Sequence, residues 1–217
     1  MVTIRDLVKD FSWQMKKGRA LKQFWLENCD RAYMKSTIYP AIGRFLRNSK
    51  TKEILDIGAQ WYDADNRDLF CNKEISYWVI DIKQKPKGLK CQHFLRVSIL
   101  DLPDIYPNLK NHFDIVISYG VLGFFKFDKK SVDIYLKNVS KLLTPEGIFL
   151  LKLDKSEIEQ FEEEYKIDFN VIGKYFIPCK IADLLEEKIV SDGEKHYVFY
   201  TLKKRLSIDK EKDVVNS

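Results

Sequence analysis

Apolar and polar residues along this chain follow two periods in turn. Ile54, Leu55 and Ile57 form a short β-branched run with charge before it and Gly58 after it, which is how a strand buried on both faces of a parallel sheet reads. Similar runs follow at 75–80, within 91–99, at 113–118 and at 148–153. Helical spacing returns between them: Leu69 and Phe70 belong to one expected helix, and Val132, Tyr135, Leu136, Val139 and Leu143 to another. Thr144-Pro145-Glu146-Gly147 predicts a turn ahead of the fifth strand. Ser156-x-x-Glu159 predicts a capping box for a helix that buries Ile158, Phe161 and Tyr165, and Ile181, Leu184 and Leu185 predict a further short helix. Two last runs, 188–191 and 196–202, flank Asp192-Gly193 and read as an antiparallel hairpin.

Ahead of the first strand, Ile4, Leu7, Val8 and Phe11 recur at helical spacing, as do Leu21, Phe24 and Trp25, with Gly18 as a break between them. A third helix is expected from about 37 to 46, with Pro40 in its first turn, Ile38, Ile42, Phe45 and Leu46 on one side, and Arg44 and Arg47 facing outward. The division this suggests is a basic helical segment over 1–50, an α/β domain over 51–203 and a flexible tail over 204–217.

Composition narrows the class. At 217 residues and 45% apolar content the chain is long enough to bury one α/β core with an added segment. Cys29, Cys71, Cys91 and Cys179 contain no C-x-x-C pair, so neither a zinc site nor a disulfide framework is expected, and a reducing, cytoplasmic setting fits. Residues 1–20 carry too many charges for a signal peptide, and no apolar run reaches the roughly 20 residues of a spanning helix. A soluble protein without a membrane span is expected. The net charge of +5 is uneven: residues 1–52 hold twelve Lys and Arg against four Asp and Glu. Such a basic arm reads either as a solvated helix face or as a contact for an anionic partner.

Two positions carry the candidate chemistry. Gly58 ends the first strand where a missing Cβ lets the backbone come close to a ligand across the sheet's carboxyl edge. Asp81 ends the second strand, 23 positions later, where a carboxylate can accept from both hydroxyls of a ribose. The segment 83–88 that follows reads as a loop, which weighs against Asp81 being a helix cap.

Five strand and helix alternations closed by a hairpin, with glycine after the first strand and aspartate after the second, resemble the class I S-adenosylmethionine-dependent methyltransferases over about 53–203. The resemblance implies a Rossmann-like, doubly wound, mostly parallel seven-stranded sheet with a C-terminal antiparallel hairpin. It implies S-adenosylmethionine as cofactor and no metal. Asp56, Gly58, Ala59 and Gln60 would form the cofactor loop, and Asp81 with Ile82 would hold the ribose. Ser98 and Ile99 match the adenine position, while Ser118 and Tyr119 open the motif after the fourth strand. Gln60 stands where the family has its second glycine. Ser98 replaces a frequent acidic residue, although a hydroxyl can accept the same hydrogen bond. Only Gly58 of a G-x-G-x-x-G turn is present, which argues against a dinucleotide oxidoreductase.

Methyl transfer from an activated donor needs positioning more than acid and base, so the sequence names no catalytic residue beyond Tyr119 as a candidate. His93, His112 and His196 read as structural, and Lys152 lacks identifiable companions. Phe124, Phe125, Phe127, Trp61 and Tyr62 read as core packing or as a stacking surface for a substrate. The acceptor is expected to be a small molecule or glycan rather than RNA. RNA methylation, with the basic arm on phosphates, and a catalytically silent module whose arm binds a partner are the competing readings.

Overall fold

A computed structural model describes residues 33–47, 52–58, 74–85, 87–124, 128–154, 170–181, 184, 186–191 and 196–206. The two helices expected within 1–32, the loop after Gly58 and the helix of Leu69 and Phe70 over 59–73, the capping box and its helix over 155–169 and the Asp192-Gly193 turn lie outside these residues.

The first described element is a π-helical stretch, Met34–Ile38, that continues as α1, Tyr39–Leu46. Then come β1 (Glu53–Ile57), β2 (Ser76–Asp81), β3 (His93–Arg96), α2 (Leu102–Ile105), a 3-10 turn (Pro107–Leu109) and β4 (Phe113–Tyr119). They are followed by α3 (Val121–Phe124), α4 (Lys129–Leu142), β5 (Leu143–Asp154), α5 (Asn170–Tyr175), β6 (Phe176–Pro178), β7 (Glu187–Ser191) and β8 (His196–Lys204). The sheet runs β3-β2-β1-β4-β5-β8-β6, with β7 also on β8. β1 to β5 are parallel neighbours, and β8 returns antiparallel to β5.

The sheet is thus α/β and mostly parallel with an antiparallel close, as expected, but with eight strands rather than seven. The extra strand arises because the outer edge of β8 is shared. β6 pairs with residues 202–204 and β7 with 196–200, so two short strands fill one position.

Period-2 alternation divides the side chains between two cores. Leu55, Ile57, Ile80, Val116, Phe149 and Leu151 face α4, which returns Val132, Tyr135, Leu136, Val139 and Leu142 at helical spacing. Burial of each such side chain is worth about 1.5–3 kcal/mol. The α4 start is fixed by Asp128, whose carboxylate accepts from the Ser131 N–H at 2.7 Å. On the other face Ile54, Tyr77, Ile115, Ile117 and Leu150 meet Met34, Ile38, Ile42 and Leu46. The third predicted helix therefore lies on the sheet.

Three expectations are corrected. Thr144–Gly147 does not precede the fifth strand but is a bulge inside it: Phe113 pairs with Leu143 and Ile115 with Ile148. Gly147 is needed there because a Cβ would stand 3.0 Å from the carbonyl oxygens of Phe113 and Thr144. Ile181 and Leu184 form an antiparallel bridge, with Leu184 N–H donating to Ile181 O at 2.8 Å, where a helix was expected. Lys204, expected to open the flexible tail, instead ends β8 beside Lys203. Lys203 pairs with Glu146 of the bulge at 3.0 Å, and Lys204 donates to Asn111 Oδ1 at 2.8 Å and Leu143 O at 3.0 Å.

Candidate functional site

β1, β2 and β4 deliver their carboxyl ends to one side of the sheet, and the strand order reverses at β1. Ligands of open α/β sheets bind outside such a reversal. A cavity of about 110 Å³ lies there, and its lining includes Gly58, Asp81, Ile82, Ser98, Ile99 and Val121.

Gly58 turns the chain off β1 at φ +66°, and its N–H donates to Ile80 O at 2.9 Å. A Cβ at this position would stand 2.5 Å from Val121 Cγ2, so the cavity wall closes only around a glycine. Asp81 is oriented by a turn of its own: Oδ1 accepts the Lys83 N–H at 2.8 Å, while the Asp81 carbonyl accepts from Val97 N–H at 3.0 Å. Ser98 Oγ accepts from Leu100 N–H at 3.1 Å, which leaves its own proton to donate and a lone pair to accept. Ile82 is 48% exposed at the mouth, an unusual position for a large apolar side chain, and Ile99 is buried beside it. The arrangement offers a fixed carboxylate, a hydroxyl and two apolar side chains around one concavity.

Five of the residues singled out from the sequence therefore meet at one place: Gly58, Asp81, Ile82, Ser98 and Ile99. Ala59, Gln60, Trp61 and Tyr62 lie outside the described residues, as do Phe125, Phe127 and the side chain of Phe124. Asp56 sits on the other face of β1 and accepts a hydrogen bond from the Tyr77 hydroxyl. Ser118 is fully buried against α4, its Oγ 2.6 Å from the Tyr135 hydroxyl, whose pKa burial drives well above the ordinary tyrosine range. Tyr119 leaves β4 toward the α1 face, with its ring 5.9 Å from that of Phe199. Val121, which also lines the cavity, was not among the candidates. Its signal is steric and depends on a partner 63 positions away.

His93 and His112 gather elsewhere. His93 stacks on Trp78 with ring centroids 3.9 Å apart, and His112 Nε2 lies 3.7 Å from Glu53 Oε2, which also accepts from Trp78 Nε1 at 2.7 Å. This is packing below the cavity, around the starts of β1 and β3. A second, wider cavity of about 660 Å³ between α4 and α5 is lined by Lys129, Lys130, Asp133, Val171 and Lys174. Lys174 donates to Asp133 at 2.8 Å and holds that carboxyl below its ordinary pKa. Among the described residues no group of His, Cys, Asp and Glu could hold a metal ion.

No protein-family model matches the chain. It is 33% identical over 153 residues to cyclopropane-fatty-acyl-phospholipid synthase of Escherichia coli (strain K12), a match covering 67% of this chain and 36% of that protein. The chain thus spans about a third of the length of the curated relatives it matches. Among solved structures, the N-methyltransferase NodS of Bradyrhizobium japonicum WM9 superposes with a TM-score of 0.56 at 14% identity, covering 78% of this chain and 95% of that one. A 1,6-didemethyltoxoflavin-N1-methyltransferase of Burkholderia thailandensis, with 1,6-didemethyltoxoflavin and S-adenosylhomocysteine bound, gives 0.52 at 14% identity, covering 86% and 88%. At these identities the likeness is one of fold.

Proposed function

We propose that this chain, whose fold is that of the class I S-adenosylmethionine-dependent methyltransferases, is itself such a methyltransferase and acts on a small-molecule acceptor. The observation that carries the reading is the meeting of Gly58, Asp81, Ser98 and Ile99 around one cavity at the reversal of the strand order. These residues fit an adenosine group. Asp81, held by the Lys83 N–H through one oxygen, has the other for the ribose hydroxyls. Ser98 suits the adenine edge, and Ile82 and Ile99 suit its faces. Gly58 leaves the room that any side chain would take, and Ala59 and Gln60 continue its loop. Asp56 and Ser118 serve the site indirectly: the first ties the end of β1 to Tyr77 and the second ties the end of β4 to α4.

S-adenosylmethionine supplies a sulfonium-activated methyl group. The protein's part is to hold donor and acceptor in line, and orientation of this kind can lower a barrier by about 7–11 kcal/mol. None of the residues around the cavity has to act as an acid or base. No helix among the described residues is long and apolar enough to cross a membrane. A cytoplasmic location and an acceptor smaller than RNA are part of the same proposal.

Calorimetric titration of the full chain with S-adenosylmethionine and S-adenosylhomocysteine tests it. Saturable binding of both is the expected result. Binding of neither would remove the reading and leave the silent partner-binding module in its place.

A further inference from the structure

Beside the cavity, on the opposite face of the sheet, an apolar pattern is interrupted. β5 places Ile148 and Leu150 against α1, and the next residue on that face is Lys152. A lysine in a central strand loses hydration for no gain in packing, so its position has to be explained by what surrounds it. It lies at the carboxyl side of the sheet, in register with Tyr119 on β4 and Phe199 on β8. Its Nζ stands 4.8 Å from the centre of the Tyr197 ring. Tyr119 and Phe199 meet edge to face at 5.9 Å, and Tyr33 adds its ring 5.0 Å from Phe199. Three strands thus contribute to one aromatic wall, capped from the helical side and carrying the Lys152 ammonium.

The winding of the helix is a second, independent sign. Tyr33 immediately precedes the π-helical stretch Met34–Ile38, whose Tyr39 N–H reaches back to Met34 O. Such single-turn widenings cost hydrogen-bond quality and concentrate at functional sites. Here the widened turn joins the helix that packs on the sheet to the residue that caps the wall. The Tyr33 hydroxyl is half-buried, which pushes its pKa up and keeps it a neutral donor.

We propose that this wall of Tyr33, Tyr119, Lys152 and Tyr197, backed by the buried Phe199, is the acceptor site, and that the acceptor is a flat aromatic or conjugated molecule bearing one acidic group. The proposal rests on the methyltransferase reading for the word acceptor, but the site's chemistry stands on its own. Rings offer faces and edges to a planar body. An ammonium has three donors, so a ligand carboxylate or sulfonate can join the contacts Lys152 already makes. Tyr119 lies one residue beyond Ser118 and two before Val121 of the cavity wall, which sets the two sites on either side of the end of β4.

The test uses the full chain and two dyes. 8-Anilinonaphthalene-1-sulfonate is a flat aromatic anion, and N-phenyl-1-naphthylamine is the same ring system without the charge. Fluorescence titration should show one saturable site for the anion. Lys152→Met should weaken it roughly tenfold, or about 1.4 kcal/mol, and leave the neutral dye unchanged. Lys152→Arg, which keeps the charge, should retain it and serves if the methionine variant fails to fold. Lys129→Met with Lys130→Met should have no effect, because those residues line the other cavity. Asp81→Ala should weaken S-adenosylhomocysteine binding at least about tenfold in calorimetry and keep the anionic dye, which separates failure of the cofactor reading from failure of this one. The proposal is overturned if the natural chain does not bind the anion, if Lys152→Met binds it as tightly as before, or if the lysines of α4 carry the binding.

Discussion

Gly58→Ala adds one methyl group, and the structure says where the strain goes. At φ +66° an alanine pays about 1–2 kcal/mol that glycine avoids. Its Cβ would also stand 2.5 Å from Val121 Cγ2, and Val121 is 7% exposed in the α4-side core, so the β-branched side chain has little space to yield. Overpacking of this kind costs about 1–3 kcal/mol. The expected total is roughly 2–5 kcal/mol, read from urea unfolding of the variant against the natural chain at matched slope. The two contributions separate in a double-mutant cycle, because Val121→Ala removes the clash and leaves the backbone strain. The two substitutions together should cost about 1–3 kcal/mol less than the sum of each alone. Additivity within about 0.5 kcal/mol, or a Gly58→Ala chain as stable as the natural one, would refute the steric account of this turn.

Asp81→Ala should weaken S-adenosylhomocysteine binding by about tenfold to several hundredfold, since two charge-assisted hydrogen bonds at roughly 1.5–3 kcal/mol each are at stake; an unchanged Kd in a folded variant removes the ribose role. Ser118→Ala takes a buried partner from the Tyr135 hydroxyl and should cost about 1–3 kcal/mol in urea unfolding, while Ser118→Ala with Tyr135→Phe should cost less than the two singles together. Burial pushes the Cys179 thiol from its ordinary 9.0 up to about 11. A pKa raised by folding gives stability that is fully present below about pH 9 and is lost as pH rises toward 11, so urea midpoints should fall over that window in the natural chain and stay flatter in Cys179→Ala. A midpoint curve unchanged by that substitution would show that the thiol is not responsible.

Most of the parallel half of the sheet was legible because β1, β2, β4 and β5 are short, largely buried apolar runs: 54–57, 75–80, 113–118 and 148–153 all fall within the observed strands or one residue of them. That Gly58 and Asp81 would meet at strand ends was legible as well, since strand ends beside a strand-order reversal converge on one cleft. The misses have a common physical cause in partners distant along the chain. β6 is three residues long and exists only because β8 offers it an edge, so no local pattern announces it. The bulge at 144–147 uses the residues of an ordinary turn, and only pairing with Phe113 on one side and Ile115 on the other makes it part of a strand. Ile181 and Leu184 have helical spacing, but they meet across a bridge. Ser118 looked ligand-facing from its motif, and alternation along β4 turned it into the core.

The shared outer edge of β8 has a consequence for synthesis. β8 lies between β5 on one side and β6 and β7 on the other, yet it is made after all three. Once β5 has left the ribosome its apolar edge, 148–154, has no β8 partner until about fifty more residues have emerged, up to Lys204. At roughly 5–20 residues per second that is about 2.5–10 s with an open, aggregation-prone strand edge exposed. Nascent chains arrested shortly before residue 196 should be captured by holdase chaperones, and chains arrested with residue 204 clear of the exit tunnel should not; equal capture of both would show that the edge is shielded before β8 arrives.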